Sequence, residues 1–276
     1  MNQMINKDTQ LCMSLSGRPG NFGTRFHNYL YQKLNLNFIY KAFTTKDLKA
    51  AIGGVRALGI RGCAVSMPFK EDCIPYLDEL DISASAIQSV NTIVNTDGYL
   101  KAYNTDYIAI ANLIKSNQIN PDTHFVLKGS GGMAKAVAGA LFDAGFKHGT
   151  ILARNKDKGT ELAKLYNYQW IASEEEYDLS KVQMIINVTP VGMAGGAEEH
   201  DLAFPELWIK QAKIVFDVVA LPVETPMIKL AKSLNKKVIT GAEVIAIQAL
   251  EQFVLYTGIR PDAKLIDEAA AFARSN

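Results

Sequence analysis

The sequence predicts an α/β protein of two domains, and three observations support this prediction. Short apolar or β-branched runs alternate with longer amphipathic segments along the whole chain, which is typical of parallel sheets covered by helices. Near the middle, a glycine-rich turn separates an apolar run from a helical pattern. The length of 276 residues is sufficient for two domains of moderate size. We therefore expect two α/β domains with a ligand cleft between them.

The first alternating series predicts a sheet, two helices and a hairpin. The apolar runs 90–95 and 99–102 flank Thr96-Asp97-Gly98, and because Gly tolerates positive φ in such a turn, we expect the two runs to form a hairpin. The other predicted elements are strands at 10–15, 37–43 and 61–66 and helices at 24–34 and 46–58.

The second series predicts a parallel sheet and then two helices that end the chain. Its elements are a helix at 107–116, strands at 125–128, 150–153, 184–187, 214–218 and 237–240, and a helix from the glycine-rich turn to about residue 144. The last two helical patterns, 242–256 and 261–274, need an existing core to pack on, and we place them against the N-terminal domain. One domain is thus expected to comprise residues 1–106 and 241–276, and the other residues 107–240.

The composition argues against several classes of protein. The 29 basic and 28 acidic residues give a net charge of +1 without a basic cluster, so nucleic acid is not expected as a partner. Polar residues interrupt the longest apolar stretches before the roughly 20 residues that a membrane span needs, and no signal-peptide pattern is present. The three cysteines and four histidines are scattered, so neither disulfides nor a metal site is expected. We expect a cytoplasmic protein without membrane contact, as a monomer or homodimer.

The sharpest local motif is Gly129-Ser130-Gly131-Gly132-Met133-Ala134, between the apolar run 125–128 and a helical pattern. In this G-x-G-x-x-A pattern, Gly129 allows a tight turn and Gly131 lets backbone N–H groups approach a pyrophosphate at the helix N-terminus. Ala134 allows the helix to pack closely on the strand. The motif predicts a Rossmann-like dinucleotide-binding domain, and the alternative is a glycine-rich turn that binds nothing.

The end of the next strand indicates which dinucleotide binds. An NAD site usually has Asp or Glu about 20 residues beyond the glycines, whereas an Arg nearby accommodates the 2′-phosphate of NADP. Here the strand ends in Ala153-Arg154-Asn155-Lys156, with no acidic residue before Asp157. The sequence therefore predicts NADP, with a solvated loop arginine as the alternative.

Polar residues at three points of the first domain suggest a substrate site. Ser66 and Lys70 follow a buried strand, and ligands of open α/β sheets bind beyond the carboxyl ends of the strands. Asn91 precedes another strand, and Asp106 lies where the helix 107–116 opens. Together, these groups could hold a carbonyl, a neighbouring hydroxyl and a transferable proton. Taken singly, Lys70 could be a surface lysine and Asp106 a helix N-cap.

The ordered motifs resemble those of the shikimate dehydrogenase family over nearly the whole chain. In the first domain, Ser66-Met67-Pro68-Phe69-Lys70 is similar to the family's V-T-x-P-[FH]-K, Val90-Asn91-Thr92 is similar to V-N-T, and Asn104-Thr105-Asp106 is similar to N-T-D. In the second, the Gly129 turn is similar to G-x-G-G, Arg154-Asn155 to N-R-T, the segment Asn187–Gly192 to N-[AT]-T-x-x-G, and the segment Asp217–Pro226 to D-x-x-Y-x-P-x-x-T-P. The segment Gly241–Phe253, which contains Gln248, is similar to the family's last substrate segment.

The resemblance implies reversible hydride transfer between NADP and shikimate, whose oxidised form is 3-dehydroshikimate. It implies Lys70 and Asp106 as the catalytic pair, because an ammonium held by a carboxylate stabilises the developing oxyanion and supplies its proton. The substrate contacts that it implies are Ser66, Asn91, Asp106 and Gln248. The implied cofactor contacts are Gly129, Ser130, Gly131, Gly132, Met133, Ala134, Arg154, Asn155, Lys156, Thr189, Val218 and Gly241.

One departure from the family pattern concerns the substrate carboxylate. The family's G-x-P-[IL]-x-H-S-x-S-P supplies two serines that bind it, whereas residues 17–26 of this chain contain neither. We expect Thr24 or Arg25 to take over this contact, and Arg25 could do so with two parallel hydrogen bonds. Further departures are Ala64, Ser66, Tyr107 and Ala220, where the family usually has Asn, Thr, Gly and Tyr.

These departures leave two alternatives beside a shikimate dehydrogenase-like enzyme. The first is a paralogue that acts on quinate or another cyclic hydroxy-acid. The second, of a different class, is an NADP-binding sensor or interaction protein without turnover. The presence of both Lys70 and Asp106 argues against the second, because a protein that only binds needs no proton donor.

Overall fold

The computed structural model describes residues 5–275, and the chain separates into two compact units. The first unit contains the residues up to Thr105 together with those from Ala246 onward, and the second is Asp106–Ile245. Each unit has its own six-stranded sheet and its own hydrophobic core. In chain order the helices are α1 (Phe22–Lys33), α2 (Leu48–Ala57), α3 (Ile82–Ser85), α4 (Thr105–Ser116), α5 (Gly132–Asp143), α6 (Lys156–Leu165), α7 (Glu206–Gln211), α8 (Pro226–Ser233), α9 (Gly241–Thr257) and α10 (Ala263–Arg274).

The sheet of the first unit is mixed. Its strands are β1 (Gln10–Leu15), β2 (Phe38–Phe43), β3 (Gly62–Val65), β4 (Glu79–Leu80), β5 (Thr92–Thr96) and β6 (Tyr99–Tyr103). They lie in the order β2-β1-β3-β5-β6-β4, with β1 parallel to both β2 and β3, and with β5 antiparallel to both β3 and β6. Asp97 and Gly98 join β5 to β6 and both have positive φ, so the predicted hairpin is confirmed.

The two C-terminal helices are part of the core of the first unit. Phe253 and Tyr256 of α9 and Ala269 of α10 belong to one buried cluster with Phe26 and Tyr31 of α1. Consecutive helices bury their apolar faces in this way because each exposes a stripe that water would otherwise contact. The core cluster on the other face of the sheet is formed largely by β1, β3, β6 and α2.

The sheet of the second unit is parallel throughout. Its strands are β7 (Phe125–Lys128), β8 (Gly149–Leu152), β9 (Gln169–Ile171), β10 (Met184–Asn187), β11 (Ile214–Asp217) and β12 (Lys237–Thr240). Their order is β12-β11-β10-β7-β8-β9, which is the doubly wound Rossmann arrangement with its order reversing between β7 and β10. The predicted α/β class with a Rossmann-like second sheet is therefore confirmed.

The structure contains elements between residues 156 and 233 that the sequence did not predict, among them α6, β9, α7 and α8. Within α6 only Gly159, Leu162 and Ala163 are buried, and an apolar stripe this narrow gives a weak helical pattern. The three-residue strand β9 lies at the edge of the sheet and is too short to show alternation. The charged run Glu174–Glu176 forms a short 3₁₀ turn.

Within residues 5–275, no helix is both long and apolar enough to cross a bilayer. The described residues also contain no cluster of three or more His, Cys, Asp or Glu side chains arranged to hold a metal ion. The thiols of Cys12, Cys63 and Cys73 are free and buried.

Candidate active site

Backbone hydrogen bonds hold the segment from Ser66 to Lys70 beside Asn91. Ser66 follows β3, and its N–H donates to the carbonyl of Leu15 at 2.9 Å, at the carboxyl end of the parallel strands. At the other end of the segment, the carbonyl of Lys70 accepts from the N–H of Val90 at 2.9 Å. Ser66 is exposed and Lys70 is half-buried. The loop therefore brings Lys70 next to the residue that precedes Asn91.

The side-chain amide of Asn91 is buried and only half satisfied. Its Oδ1 accepts from the N–H of Thr105 at 2.7 Å, the hydroxyl of Thr92 at 2.8 Å and the hydroxyl of Thr105 at 3.1 Å. Its Nδ2 has no hydrogen-bond partner within residues 5–275, although Asn91 is only 1% exposed. A buried donor without a partner costs about 1–3 kcal/mol, so a ligand oxygen that accepted from Nδ2 would recover that energy.

Asp106 lies in the first turn of α4. The N-cap alternative would instead have placed it one position before the helix. The helix begins at Thr105, and Asp106 is 5% exposed. A carboxylate in this turn is stabilised by the helix dipole. Asn104, the residue before the helix, is also fixed, because its backbone N–H donates to Ser83 Oγ at 3.0 Å and its side chain donates to the carbonyl of Ser89 at 2.9 Å.

Helix α9 brings two glutamines to the first unit, of which only Gln248 was predicted. Gln248 is half-buried, as expected for a side chain at the edge of a site. Gln252, one turn further on, is 3% exposed and donates to Thr92 Oγ1 at 3.0 Å and to the carbonyl of Asn91 at 3.3 Å. The spacing of four residues on a mostly apolar helix was a signal that could have identified Gln252, because such residues share a face.

The two residues proposed for the substrate carboxylate have different surroundings. Thr24 Oγ1 is buried without a hydrogen-bond partner among residues 5–275. Arg25 binds the end of α10: its Nε and Nη2 donate to the carbonyl of Phe272 at 3.1 and 2.8 Å, and Nη2 also donates to Ser275 Oγ at 3.1 Å. The hydrogen bonds with residues 5–275 leave only Nη1 for a ligand, so the two parallel bonds that we expected of Arg25 are not available to it in this structure.

In the second unit, the turn after β7 fits a pyrophosphate. Gly129 has a φ of +126°, and a Cβ there would lie 2.7 Å from Val188 Cγ2, so another residue would be strained and crowded. Gly131 is the N-cap of α5, and no side chain of the described residues caps the helix. A Cβ on Gly131 or Gly132 would meet nothing within 4 Å. The uncapped N–H groups at the helix N-terminus are therefore open to an anion.

The other residues of the glycine motif support this turn. Ser130 lies within it and is half-buried, as is Met133 in the first turn of α5. Ala134 is completely buried, as expected of the small residue that lets the helix approach the sheet. The residues present therefore fit the diphosphate part of a dinucleotide.

The segment after β8 presents positive charge to solvent. Arg154, Asn155 and Lys156 are all exposed. Asn155 is the N-cap of α6, and its side chain accepts from the N–H of Lys158 at 3.0 Å. The cap fixes the backbone beside Arg154 and leaves the guanidinium at the carboxyl end of β8, where a 2′-phosphate would be expected.

A buried carboxylate joins the carboxyl ends of β10 and β11. Asp217 accepts from the hydroxyl of Thr225 at 2.7 Å, from Asn187 Nδ2 at 3.0 Å and from the N–H of Val219 at 3.0 Å. Burial raises the pKa of Asp217 to about 6, and these three hydrogen bonds oppose that shift. On the other side, Thr189 donates its hydroxyl to Asn187 Oδ1 at 2.6 Å. The predicted cofactor residue Thr189 is thus held in place by this network.

Val218, which follows β11, lies close to Gly241, the first residue of α9. The N–H of Val218 donates to the carbonyl of Asn187 at 3.0 Å, and Val218 is half-buried. A Cβ on Gly241 would lie 2.3 Å from the carbonyl carbon of Val219, so only glycine fits where α9 begins.

Comparison with known proteins identifies the family. Residues 22–93 match the model of the shikimate dehydrogenase substrate-binding domain. The whole chain is 61% identical to a shikimate dehydrogenase-like protein of Haemophilus influenzae, over 99% of each chain. It is 34% identical to the NADP⁺-dependent shikimate dehydrogenase of Halothermothrix orenii, over 94% of each chain. This chain belongs to the shikimate dehydrogenase family.

Solved structures of the shikimate dehydrogenase family agree. A shikimate 5-dehydrogenase-like protein, 61% identical, superimposes with a TM-score of 0.95 over 99% of this chain and 100% of its own. A shikimate dehydrogenase in complex with NADP⁺, 31% identical, gives a TM-score of 0.85 over 99% of this chain and 98% of its own. The enzyme of Thermus thermophilus, in complex with NADP(H) and shikimate, is 26% identical with a TM-score of 0.83 over 96% and 99% of the two chains. Oxidoreductases that use NADP are therefore similar to this chain in both sequence and fold.

Proposed function

We propose that this protein catalyses reversible hydride transfer between NADP and the ring of shikimate, with Lys70 and Asp106 as its catalytic pair. The observation that carries the proposal is the partner-free Nδ2 of Asn91, a donor 1% exposed beside the loop that ends in Lys70. A site prepared to bind a hydroxyl or carbonyl oxygen is what a cyclic hydroxy-acid requires. The proposal is also supported by the relatives named NADP⁺-dependent shikimate dehydrogenases.

NADPH, when bound, would supply the hydride for the reduction of the substrate ketone. The ammonium of Lys70 would stabilise negative charge on the substrate oxygen and donate the proton to it. Asp106, in the first turn of α4, would keep that ammonium charged and oriented. A positioned proton donor contributes about 10²- to 10⁴-fold to the rate.

The cofactor would be held by groups of the second unit. The uncapped start of α5 at Gly131 suits the diphosphate, and the exposed Arg154 suits the 2′-phosphate of NADP. Thr189, Val218 and Gly241 would contact the rest of the cofactor. The substrate would be bound by Ser66, Asn91 and Gln248, with Thr24 or the remaining Nη1 of Arg25 near its carboxylate.

A second candidate is oxidation of quinate or another cyclic hydroxy-acid. The specific observation in its favour is the segment 17–26, which lacks the two serines of the family pattern and whose Arg25 already binds the end of α10. A carboxylate subsite built differently would change which acid binds best.

The test is NADPH formation with shikimate and with quinate by the wild type, Lys70→Ala and the matched control Lys49→Ala, an exposed lysine of α2. We expect Lys70→Ala to lose about 10²- to 10⁴-fold in kcat with NADP binding unchanged, and Lys49→Ala to behave as the wild type. Turnover faster with quinate than with shikimate would favour the second candidate. Equal trace rates in all three proteins would overturn both and favour a protein that binds NADP without turnover.

A further inference from the structure

The strongest remaining feature is the position of Gln252 on α9, which the catalytic proposal does not use. The side chain is 3% exposed, and its Nε2 donates to Thr92 Oγ1 at 3.0 Å and to the carbonyl of Asn91 at 3.3 Å. The two N–H groups of the amide are thus both directed at the residues that open β5. Among residue types of this size, only glutamine offers two donors from one uncharged nitrogen.

The hydrogen bond from Gln252 limits the directions in which the hydroxyl of Thr92 can point. A hydroxyl has one proton, and because Thr92 Oγ1 accepts from Gln252, its own proton is free to be donated elsewhere. The nearest acceptor is Asn91 Oδ1 at 2.8 Å. Gln252 therefore acts on the Asn91 side chain through one intervening hydroxyl.

The identity of the Asn91 atoms follows from the backbone. A backbone N–H can only donate, so the atom that lies 2.7 Å from Thr105 N must be the amide oxygen. With Thr92 also donating to that oxygen, its two lone pairs are occupied. The only group of the amide that remains available is Nδ2, which has no partner among residues 5–275.

We propose that Gln252 is a positioning residue for substrate recognition: through Thr92 it fixes the Asn91 amide as a hydrogen-bond donor towards the substrate. The inference rests on the proposed function, because it assigns the polarity of one contact in that site. It predicts that the substrate group at Asn91 is an acceptor, a hydroxyl or carbonyl oxygen. It also predicts that Gln252 affects substrate binding without touching the substrate or NADP.

The main test compares Gln252→Met, which keeps the length and removes the donors, with the wild type. We expect the KM for shikimate to rise about 2- to 10-fold, the range that one neutral hydrogen bond supports, with a smaller change in kcat and an unchanged Kd for NADP. Thr92→Val, which removes the intervening hydroxyl, should shift KM in the same direction. Gln211→Met, an exposed glutamine of α7, is the matched control and should leave KM unchanged.

A double-mutant cycle separates positioning from simple loss of structure. Asn91→Asp keeps an oxygen for Thr105 and Thr92 but has no N–H to offer. If Gln252 acts through the Asn91 donor, Gln252→Met should change kcat/KM by less than about 2-fold in the Asn91→Asp background, although it changes the wild type by more. An equal effect in both backgrounds would overturn the proposal, as would an unchanged KM in Gln252→Met.

A measurement without substrate keeps this test independent of the proposed function. The side-chain amide of Asn91 can be observed by NMR in the ligand-free protein and assigned by its loss in Asn91→Asp. We expect its N–H protons to exchange with solvent several-fold faster in Gln252→Met, and equal exchange would overturn the positioning role. Absence of turnover and of shikimate binding in the wild type would instead contradict the proposed function alone.

Discussion

Arg25 and Arg154 were both predicted to bind anions, and their surroundings give them different roles. Arg154 is exposed at the carboxyl end of β8, beside a backbone that the Asn155 cap holds in place. Arg25 uses Nε and both N–H groups of Nη2 on the last turn of α10 and the residue after it. Their positions in the sequence made both arginines candidates for anion binding. The number of N–H donors that each has left for a ligand distinguishes them.

At Arg154, the expected effect of substitution is on cofactor choice. Arg154→Ala should lower the preference for NADP over NAD by about 10- to 150-fold, because a charge-assisted hydrogen bond of about 1.5–3 kcal/mol to the 2′-phosphate is lost. The measurement is the ratio of kcat/KM values for the two cofactors. Lys158→Ala, which removes an exposed charge in the first turn of α6, is the control and should leave the ratio within about 2-fold. A ratio unchanged in Arg154→Ala would contradict the assignment.

Among the elements, α1 and α10 are joined by the hydrogen bonds of Arg25 and by its guanidinium, which lies 4.3 Å from the centre of the Phe272 ring. A cation at this end of a helix also interacts favourably with the helix dipole. The first unit closes in this way because α10 follows α9 on the sheet and its last carbonyls have no partner within the helix. Arg25, which the local sequence motif had linked to the substrate, thus takes part in tertiary packing.

Substitution of Arg25 should therefore change stability more than substrate affinity. Arg25→Ala is expected to destabilise the protein by about 1 kcal/mol, since these bonds are largely exposed, and to change the KM for shikimate by less than about 2-fold. Thermal unfolding and steady-state kinetics measure the two effects, with Arg18→Ala, an exposed arginine just before α1, as a control for loss of charge. A KM raised 10-fold or more without loss of stability would instead support direct contact of Arg25 with the carboxylate.

For the molecule as a whole, the buried histidine of the first unit makes stability depend on pH. His27 is completely buried and stacks on Tyr40, with ring centres 4.5 Å apart. Burial lowers the pKa of His27 to about 3. The side chain of Gln252 lies close enough to oppose this shift in part, but neither ring nitrogen makes a well-aligned hydrogen bond to a described residue. The folded protein therefore keeps this histidine neutral where an unfolded chain would protonate it.

The sign of the effect follows from the two pKa values. The stabilisation is fully present above the unfolded pKa of about 6.5 and is lost as the pH falls towards 3, by up to about 1.4 kcal/mol per unit. His27→Phe should remove this part of the acid sensitivity, so the decrease in unfolding free energy between about pH 6.5 and pH 5 should be smaller by roughly 2 kcal/mol. His200→Phe, at an exposed position, should retain the wild-type slope. Equal slopes in His27→Phe and wild type would contradict the prediction.

The measurement should distinguish the two units. Both tryptophans, Trp170 and Trp208, lie in the second unit, so tryptophan fluorescence follows that unit whereas circular dichroism follows both. The distinction matters because Asp217 acts in the opposite direction: its raised pKa of about 6 makes the folded second unit bind a proton more tightly, which adds stability as the pH falls from 6 to about 4. The pH-dependent loss of stability due to His27, which lies in the first unit, should therefore appear in the circular dichroism signal, which follows both units.

The sequence alone determined the elements whose signal is local. Strands β1, β7, β10 and β12 were predicted with the bounds that the structure has, because short apolar runs between turn residues define them. The Gly129 turn was predictable for the same reason: strand, glycines and helix are contiguous, and the structure adds that a Cβ at Gly129 would meet Val188. Lys70, Asn91 and Asp106 were candidates from their positions beside strands and at a helix start, the family resemblance implied their roles, and those roles stay a prediction.

Only the tertiary structure decided which polar groups are occupied and which are available. The side-chain amide of Asn91 accepts from Thr105, fourteen residues away in sequence, and its backbone carbonyl accepts from Gln252, which lies 161 residues away. Arg25 is bound to Phe272, 247 residues away. Hydrogen bonds between residues so distant depend on how helices pack on a sheet, and periodicity within a segment carries no information about them. The sequence thus determined the chemistry that this chain can offer, and the fold determined which of its donors remain for a ligand.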